Sequence, residues 1–433
     1  MRMFGQIDNS TFDTLAHDHH RLRRGPWNPY FSKASISRIQ PLLIQDAVNK
    51  LCDRFAEHQE AGKVVCMVNA YACLTTDIIS EYSFPEGYDL LGRKGDEFDG
   101  DHYNAWMALS RISHTLKQFP WLFPVLDSMP QWLTKIMNPD FYVVLKEQNY
   151  LLDQANLLIA QRANPNDHKE TTLRPSLIRH LIDSDLLPEN EKNPARIKGE
   201  AQIAMGAGTL TTSHALKHAT YHILANPPIQ ARLMAELREN IPDPSSPPTL
   251  RQLEAMPYLM AIMYETLRIF YGVTHRLSRI FPDRSVTYTP SALASPSSTI
   301  ASRNKGKSSS VVIPPKTPMS MTSVHVHDNE TIFPDAYAFN PDRWLPLETN
   351  GQKLQKYLTC FGGGSRMCVG MELGKAEFLT AVANVFRRFG EDMELVDTVR
   401  ERDVDAVYDV FNPASSKEGN GVMVSFRAKK GRV

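Results

Sequence analysis

The sequence predicts a mostly α-helical fold with a small β portion, and three observations support this. Apolar residues recur at helical spacing over most of the chain, and Arg196–Ala225 has the pattern of one long helix. Alternation in the strand period occurs in the C-terminal segment Asp392–Phe426. With 433 residues, the chain forms either two domains or one large helical fold built around a cofactor.

The first helical region is basic. The segment His19–Arg24 precedes Pro26 and a helical run over residues 31–55. His20 and Arg24 are four residues apart and share one face if this segment is helical. An exposed, basic helix end is an equally good interpretation of the pair.

Two further amphipathic helices are predicted at Asp101–Phe119 and Asp140–Arg162. The stretch between them is punctuated by prolines and carries Trp121, Phe123 and Trp132. An aromatic-rich stretch of this kind is more typical of core than of a functional site.

The long helix Arg196–Ala225 ends before Asn226, where two prolines follow and stop it. Its centre contains the segment Ala207–Thr212, in which Gly208 and three threonines cluster. Glycine and threonine are poor helix formers, so we expect another group to lie close against the backbone there.

A capping box at Thr249–Gln252 predicts a short helix that stops at Pro257. The next helix, Tyr258–Phe270, carries Glu265 and Arg268 one turn apart in an apolar context. A buried pair of this kind needs a third partner to offset its desolvation. Arg343 is the candidate partner, because it lies in the proline-fixed turn Phe339–Trp344.

The most informative segment is Phe361–Gly370, which places Cys368 in a glycine-rich loop before a helix predicted at Val369–Phe389. The positive N-terminal end of that helix stabilises an ionised sulfur. Such a cysteine suits a thiolate ligand of haem iron. The alternative interpretation is a glycine-rich connector that holds a buried free cysteine.

The other residues of this loop suit a flat, anionic cofactor. Gly362, Gly364 and Gly370 let the backbone pass close to a planar ring. Arg366 offers a forked donor to a propionate, and Phe361 can pack beside the ring.

The Glu265/Arg268 helix, the Arg343 turn and the cysteine loop, which follow one another in this order, resemble the motifs of the cytochrome P450 family. The resemblance is strongest to fungal members of the trichodiene oxygenase type and runs from about Phe4 to Phe426. It implies a single domain over residues 1–433 that binds haem b, with Cys368 as the axial thiolate ligand of iron.

The same resemblance implies roles for residues outside the loop. His20 and Arg24 would bind a haem propionate together with Arg366, and either Arg276 or Arg279 would add a contact. The resemblance also implies that Glu265, Arg268 and Arg343 form a buried network that holds the cysteine loop in place.

On the oxygen-binding face, the resemblance assigns Thr211 to steering protons to bound oxygen. Leu210 stands where the family usually has Asp or Glu, so the usual proton-relay carboxylate is missing. A hydroxyl and ordered water can still pass protons. The departure leaves open peroxide-driven oxidation or rearrangement of an oxygenated substrate.

The ends of the chain depart from the family. The resemblance implies a P450 fold that lacks the N-terminal anchor, the first helix and much of the first sheet. No apolar stretch reaches the roughly eighteen residues of a membrane span, and no signal peptide is recognised. Localisation therefore stays open, although eukaryotic members of the family are usually anchored to the endoplasmic reticulum, facing the cytosol.

A Ser-rich insertion, Thr289–Ser310, has almost no apolar periodicity and is assigned no function. Without it, Ser285–Tyr288 and Val311–Pro314 would form the two arms of a hairpin. A second hairpin turn is predicted at Gly419–Gly421. By resemblance, the loop near Val410–Pro413 would approach the substrate.

Composition excludes several classes of function. Lys plus Arg and Asp plus Glu both number 48, so a zero net charge gives no case for a nucleic-acid partner. The five cysteines lack CxxC spacing, so we expect reduced thiols in a cytosol-facing compartment rather than disulfides or a zinc site.

The predicted function is a haem-thiolate monooxygenase of secondary metabolism. It would insert one atom of O2 into an apolar substrate, such as a terpenoid, with electrons from a separate NADPH-dependent flavoprotein reductase. Basic residues could form the docking face for that acidic partner, although scattered solvated charge explains them equally well; they are Arg21, Arg23, Lys375, Arg387 and Arg388. The alternatives are a haem-thiolate peroxygenase or rearrangement enzyme, and a non-catalytic truncated remnant.

Overall fold

Helices make up most of the computed structural model, which describes residues 9–93, 95, 97–163, 176–289, 310–346 and 353–428. The helices of the first part of the chain are α1 (His17–Arg24), α2 (Trp27–Tyr30), α3 (Lys33–Ile39), α4 (Gln45–Ala61), α5 (Met67–Ser83), α6 (Asp101–Gln118), α7 (Leu122–Asp127), α8 (Gln131–Met137) and α9 (Pro139–Ala163). The prediction of a mostly α-helical fold is confirmed.

The second part of the chain carries the long central helix and the helices that pack on it. They are α10 (Leu177–Asp183), α11 (Pro194–Leu224), α12 (Pro227–Asn240), α13 (Leu250–Glu254), α14 (Pro257–Phe270), α15 (Ser323–His327) and α16 (Met371–Phe389). Shorter helical turns lie at Gln40–Ile44, Glu189–Glu191, Pro341–Trp344, Leu354–Tyr357, Gly364–Arg366 and Arg400–Val404.

Within the described residues, the strands are short and form three small antiparallel sheets. They are β1 (Val65–Cys66), β2 (Val286–Tyr288), β3 (Val311–Ile313), β4 (Met393–Leu395), β5 (Tyr408–Val410), β6 (Asn412–Ala414) and β7 (Met423–Phe426). In the three-stranded sheet β7 lies between β1 and β4, and the other sheets are the pairs β2–β3 and β5–β6.

Helix α11 lies at the centre of the core and packs against α5, α9, α14 and α16. Small residues on α11 permit this close packing. A Cβ on Gly208 would lie 2.6 Å from Cγ1 of Ile79 on α5, and one on Gly206 would lie 2.6 Å from Trp106 on α6. The clustered small residues therefore mark close helix contacts, as their position predicted.

The capping box is present: the Thr249 hydroxyl accepts from the Gln252 amide, and the Gln252 side chain accepts from the Thr249 amide. The two arms of the first predicted hairpin also pair, since β2 and β3 are antiparallel with Thr287 opposite Val312. Most of the Ser-rich insertion between them, residues 290–309, lies outside the described residues.

Two expectations are wrong. Gly419–Gly421 is not a hairpin turn, because β6 before it and β7 after it belong to different sheets, and the Asn420 amide donates to Asp403 instead. Trp121 and Trp132 are not core residues, since their exposed fractions are 65% and 66%. Trp121 precedes α7 and Trp132 lies on α8, and both rings are on the outer surface of these short helices.

The described helices include none that is both long enough and apolar enough to span a membrane.

Candidate active site

The loop that carries Cys368 is held in shape by its own backbone. The Cys368 amide donates to the Phe361 carbonyl at 2.9 Å, and the Met367 amide donates to the Gly364 carbonyl at 3.1 Å. Gly362 and Gly364 have φ angles of +67° and +66°, which a residue with a side chain adopts only with strain. The chain then enters α16, whose N-cap is Gly370.

Cys368 has exposed surface although protein surrounds it on its other sides, as a residue lining a concave surface does. Desolvation raises the pKa of its thiol, while the Gly370 amide and the charge of Arg24 act in the opposite direction. The sulfur therefore lies where an amide and a cation can stabilise it as a thiolate, which is the form that binds a metal.

Open space lies next to the glycines of this loop. A Cβ built on Gly362, Gly364 or Gly370 would meet no heavy atom within 4 Å, and the same holds for Gly363. Side chains at these positions would project into open space, so the glycines leave the backbone of the loop accessible to a flat group. Phe361 is half-buried beside this surface.

Three arginines and a neutral histidine gather at one side of the loop. His20 is buried on α1, and burial together with the charges of Arg366, Arg24 and Arg279 lowers its pKa to about 4. Arg279 also acts on Arg366, whose pKa is lowered by burial first and then by Arg279 and Arg24. The structure therefore places Arg279 in this group. Such a concentration of charge suits an anionic group, and haem propionates are carboxylates.

Arg366 also fixes the segment that precedes α1. Its guanidinium donates to the Thr14 carbonyl at 2.6 Å and to the Leu15 carbonyl at 3.1 Å. Arg24, the last residue of α1, donates to the Asn28 side chain on α2 at 2.8 Å. The cysteine loop and the basic helix α1 are thus joined directly by Arg366, a link that residue types alone do not predict.

On the central helix, Thr211 is partly exposed and its hydroxyl donates to the Ala207 carbonyl at 2.8 Å. Ala207 is exposed as well, so these residues form a face of α11 that other side chains do not cover. Leu210 instead lies in the core with an exposed fraction of 3%.

Glu377 on α16 is a buried carboxyl group that the sequence analysis missed. It interacts with the Thr212 hydroxyl of α11, and its Oε1 atom has no hydrogen-bond partner among the described residues. Burial raises the pKa of Glu377 to about 8, although the hydrogen bond from Thr212 acts to lower that pKa. The signal in the sequence was weak, because one Glu in an amphipathic helix is more typical of its solvated face.

Glu265, Arg268 and Arg343 meet in the core. Arg268 donates to both carboxylate oxygens of Glu265, at 2.9 and 2.8 Å, and Arg343 donates to Glu265 at 3.1 Å. Two donors from the Arg343 turn complete the shell: the Trp344 indole and the Asn340 amide, both at 2.9 Å from the carboxylate. The buried carboxylate thus has the additional donors that its desolvation requires.

His327 on α15 extends this network to the cysteine loop. Its Nδ1 atom donates to the Arg268 carbonyl at 2.8 Å, and its Nε2 atom accepts from the Thr359 amide at 3.0 Å. Thr359 in turn accepts a hydrogen bond from the Gly362 amide at 2.8 Å. Sequence reasoning missed His327, because nothing local distinguishes it from the exposed His325.

The basic residues proposed as a docking face do not form one free set. Arg23 donates to Glu191 at 2.7 Å and is largely buried, so its charge belongs to an internal ion pair. Arg387 and Arg388 donate to backbone carbonyls of Ile241 and Pro244, although both keep partly exposed surface. Arg23 is therefore unavailable to a partner, because a neighbouring carboxylate neutralises it.

Taken together, the loop supplies the donor set that a haem group requires: an accessible sulfur, a backbone surface without side chains, and cations at one side. Cys368 would ligate the iron, and His20, Arg24, Arg279 and Arg366 would face the propionates. The site thus fits the cofactor by the chemistry of its residues.

Comparison with known proteins agrees with this site. The family model for cytochrome P450 matches residues 7–286 and 305–408. A tryptophan 6-hydroxylase of Fusarium equiseti, fscE, is 34% identical over 427 residues, covering 99% of this chain and 78% of that protein. Cytochrome P450 monooxygenase MO6277 of Ascocoryne sarcoides is 35% identical over 424 residues, with coverages of 96% and 77%.

An N-acetyltryptophan 6-hydroxylase of Emericella nidulans, ivoC, is 34% identical over 432 residues, covering 99% of this chain and 78% of that protein. The matches extend over nearly the whole chain rather than over the cysteine loop alone. This chain therefore belongs to the cytochrome P450 family of haem-thiolate monooxygenases.

Proposed function

We propose that this enzyme inserts one oxygen atom from O2 into an apolar or aromatic organic substrate, with electrons from a separate NADPH-dependent flavoprotein reductase. The observation that supports this most directly is the cysteine loop, in which the exposed Cys368 stands among glycines near His20 and three arginines. When bound there, haem supplies the activation of O2.

The residues of the chain have separate tasks in this scheme. Cys368 would hold the iron through its sulfur, which the Gly370 amide and Arg24 would help to keep ionised. Arg366 anchors the segment before α1 with one donor on each terminal nitrogen, and its remaining N–H donors would bind a propionate. The buried network of Glu265, Arg268 and Arg343 keeps the loop in place.

Proton transfer is assigned to Thr211, whose hydroxyl lies on the uncovered face of α11. Its hydroxyl donates to the Ala207 carbonyl, and after rotation it could donate a proton to an acceptor on that face while taking one from water, so that the hydroxyl relays a proton and stays neutral. Leu210 lies in the core and its side chain cannot donate a proton. Peroxygenase chemistry or rearrangement of an oxygenated substrate therefore stays the specific alternative to the monooxygenase reaction.

For the substrate, we infer an aromatic or other apolar metabolite of a fungal secondary pathway. Two of the relatives are named as 6-hydroxylases of tryptophan and N-acetyltryptophan, so these two compounds are the first to test. A terpenoid substrate, as the resemblance to trichodiene oxygenases suggests, is the second class.

For the reductase, we propose a docking surface that includes Arg21, Arg387 and Arg388 but not Arg23 and Lys375, whose charges are paired with Glu191 and Glu372. By family membership, we also propose that the enzyme works at the endoplasmic reticulum, facing the cytosol. Exposed apolar side chains on α7 and α8, such as Trp132 and Ile136, are compatible with contact to a membrane surface.

The test is the carbon monoxide difference spectrum of the dithionite-reduced protein. We expect the long-wavelength Soret band of a thiolate-ligated ferrous complex in the wild type and its loss in Cys368→Ala. Cys66→Ala is the matched control, because it removes a thiol of intermediate burial outside the loop. The absence of this band in the wild type would support the remnant and contradict the proposal.

Turnover then separates the two enzymatic candidates. With N-acetyltryptophan, the monooxygenase requires NADPH and a reductase, and hydroperoxide alone gives little product. Product formed equally well with hydroperoxide and no reductase would favour the peroxygenase, which the apolar residue at position 210 makes plausible.

A further inference from the structure

A cluster of polar side chains outside the cysteine loop joins three separate segments. Lys117 and His114 lie on the last turns of α6, His275 follows α14, and Asp409 lies on β5. The Lys117 ammonium donates to Nε2 of His275 at 2.7 Å, and His114 donates through Nε2 to the Asp409 carbonyl at 2.9 Å. His275 faces the Asp409 carboxylate through Nδ1 at 3.4 Å.

Contacts of the hairpin connect this cluster to the cysteine loop. The His275 amide donates to the carbonyl of Phe411, which lies at the tip of the β5–β6 hairpin with a φ angle of +83°. The Phe411 ring packs edge-on against Phe12 with centroids 6.3 Å apart. Phe12 belongs to the same short segment as Thr14, whose carbonyl accepts from Arg366.

The segment that carries His275 also packs against the start of the cysteine loop. A Cβ built on Gly272 would lie 2.7 Å from the Cys360 carbonyl, so this segment packs directly on the residue before Phe361. The Phe411 ring also lies 6.2 Å from the His275 ring, centroid to centroid. A series of contacts therefore connects the polar cluster, through the rings of Phe411 and Phe12, to the segment that Arg366 of the cysteine loop holds.

The geometry of the cluster disfavours a metal ion, although two histidines and a carboxylate lie close together. The Nε2 lone pair of His275 is taken by the Lys117 ammonium, and Nε2 of His114 carries a proton toward a carbonyl. An ammonium group 2.7 Å from a ligand atom would also repel a metal cation.

Lys117 has donors left for a further ligand. An ammonium has three N–H donors, and His275 uses one of them. Among the described residues no carboxylate pairs with Lys117 at ion-pair distance, and partial burial lowers its pKa against the more distant charges of Asp409 and Asp13.

The Asp409 carboxylate is occupied by other donors. Its oxygens accept from the Thr274 hydroxyl at 3.1 Å and from the Phe411 amide at 3.0 Å, in addition to facing His275. Asp409 therefore serves to orient His275, and His275 in turn orients the Lys117 ammonium. A preorganised cation beside an apolar wall is the arrangement that recognises a carboxylate on an apolar molecule.

We propose that Lys117 binds the carboxylate of the substrate and that the substrate is an aromatic or apolar carboxylic acid whose body lies along Phe411 toward the Cys368 loop. This rests on the proposed function, because it names the class of substrate that the same site takes.

The test compares an acid with its neutral ester in the haem-loaded enzyme. Indole-3-propionate and its methyl ester are titrated, and binding is read from the Soret band and independently by calorimetry. A charge-assisted hydrogen bond is worth about tenfold to a hundredfold in affinity, so Lys117→Met should weaken acid binding by at least about tenfold and leave the ester within about twofold. Lys117→Arg should retain most of the preference for the acid.

Arg111→Met is the matched control, because it removes one exposed positive charge from the same helix outside the cluster. The control should bind the acid like the wild type. Equal affinity of the wild type for acid and ester, or equal losses of both in Lys117→Met, would overturn the proposal. Acetate binding as tightly as indole-3-propionate would overturn the placement of the apolar body.

The two proposals fail in different ways. Loss of the thiolate spectrum in the wild type contradicts the proposed function, while the calorimetric comparison of acid and ester still decides the role of Lys117.

Discussion

His327 accepts a hydrogen bond of 3.0 Å from the Thr359 amide, and this contact joins the buried ion-pair network to the start of the cysteine loop. The opposite nitrogen of the ring donates to the Arg268 carbonyl. Burial lowers the pKa of His327 to about 4, so the ring is neutral at physiological pH and can both donate and accept. A protonated ring could not accept the Thr359 amide.

The first prediction concerns this histidine. His327→Ala should leave the Thr359 amide and the Arg268 carbonyl without their partner, which costs about 1–3 kcal/mol for each buried group. We expect lower stability and faster conversion of the thiolate carbon monoxide band to the shorter-wavelength form. His325→Ala is the control on the same helix, since His325 is exposed. Equal behaviour of the two variants would rule out a special role for His327.

The second prediction concerns the ion-pair network itself. Glu265→Gln should destabilise the protein by about 3–5 kcal/mol, because it leaves the buried guanidinium groups of Arg268 and Arg343 without a counter-charge. By contrast, Arg179→Met breaks the exposed i,i+4 pair with Asp183 and should cost less than about 1 kcal/mol. Urea unfolding of both variants measures the difference, and comparable losses would contradict the argument.

The sequence predicted those parts of the site that have local, unusual residue patterns. The glycines and Cys368 stand together in one loop, and Glu265 and Arg268 stand one turn apart in an apolar helix. In the structure Arg343 contacts Glu265, although the two residues are 78 positions apart in the sequence. The capping box at Thr249 could also be read directly, because all its partners are local.

The remainder depends on tertiary contacts that no local pattern encodes. The partners of Arg366 are carbonyls about 350 positions earlier in the chain, and backbone carbonyls have no signature in the sequence. Glu377 looks like any polar residue of an amphipathic helix until Thr212 is placed beside it. The turn at Gly419–Gly421 was predicted wrongly because strand partners, unlike turn residues, are set by the whole fold.

The third prediction concerns the pH dependence of stability through Glu377. Its pKa is about 8 in the folded protein and near the ordinary 4.5 when unfolded, so the folded state holds an extra proton between these values. The stabilisation is complete below about pH 4.5 and is lost as the pH rises toward 8, by up to about 1.4 kcal/mol per pH unit.

Glu377→Gln keeps the shape of the side chain but cannot ionise. We therefore expect its free energy of unfolding, relative to that of the wild type, to increase between pH 5 and pH 8, because these values lie between the unfolded and folded pKa of Glu377. Urea unfolding at several pH values gives both curves. A difference between wild type and variant that does not change with pH would show that Glu377 is ionised throughout.

The last prediction concerns the position where the family usually carries an acid. Leu210 lies in the apolar core with an exposed fraction of 3%, whereas Thr211 beside it is partly exposed on the free face of α11. Leu210→Asp should therefore lower stability by several kcal/mol, because a buried carboxyl without a partner is costly, and it should not speed turnover. Leu210→Met, which conserves volume, should change stability by less than about 1.5 kcal/mol. Faster turnover in Leu210→Asp than in the wild type would contradict the argument, because it would mean that position 210 reaches the proton path.

Thr211→Ala, in contrast, should reduce the amount of product formed per NADPH with little loss of stability.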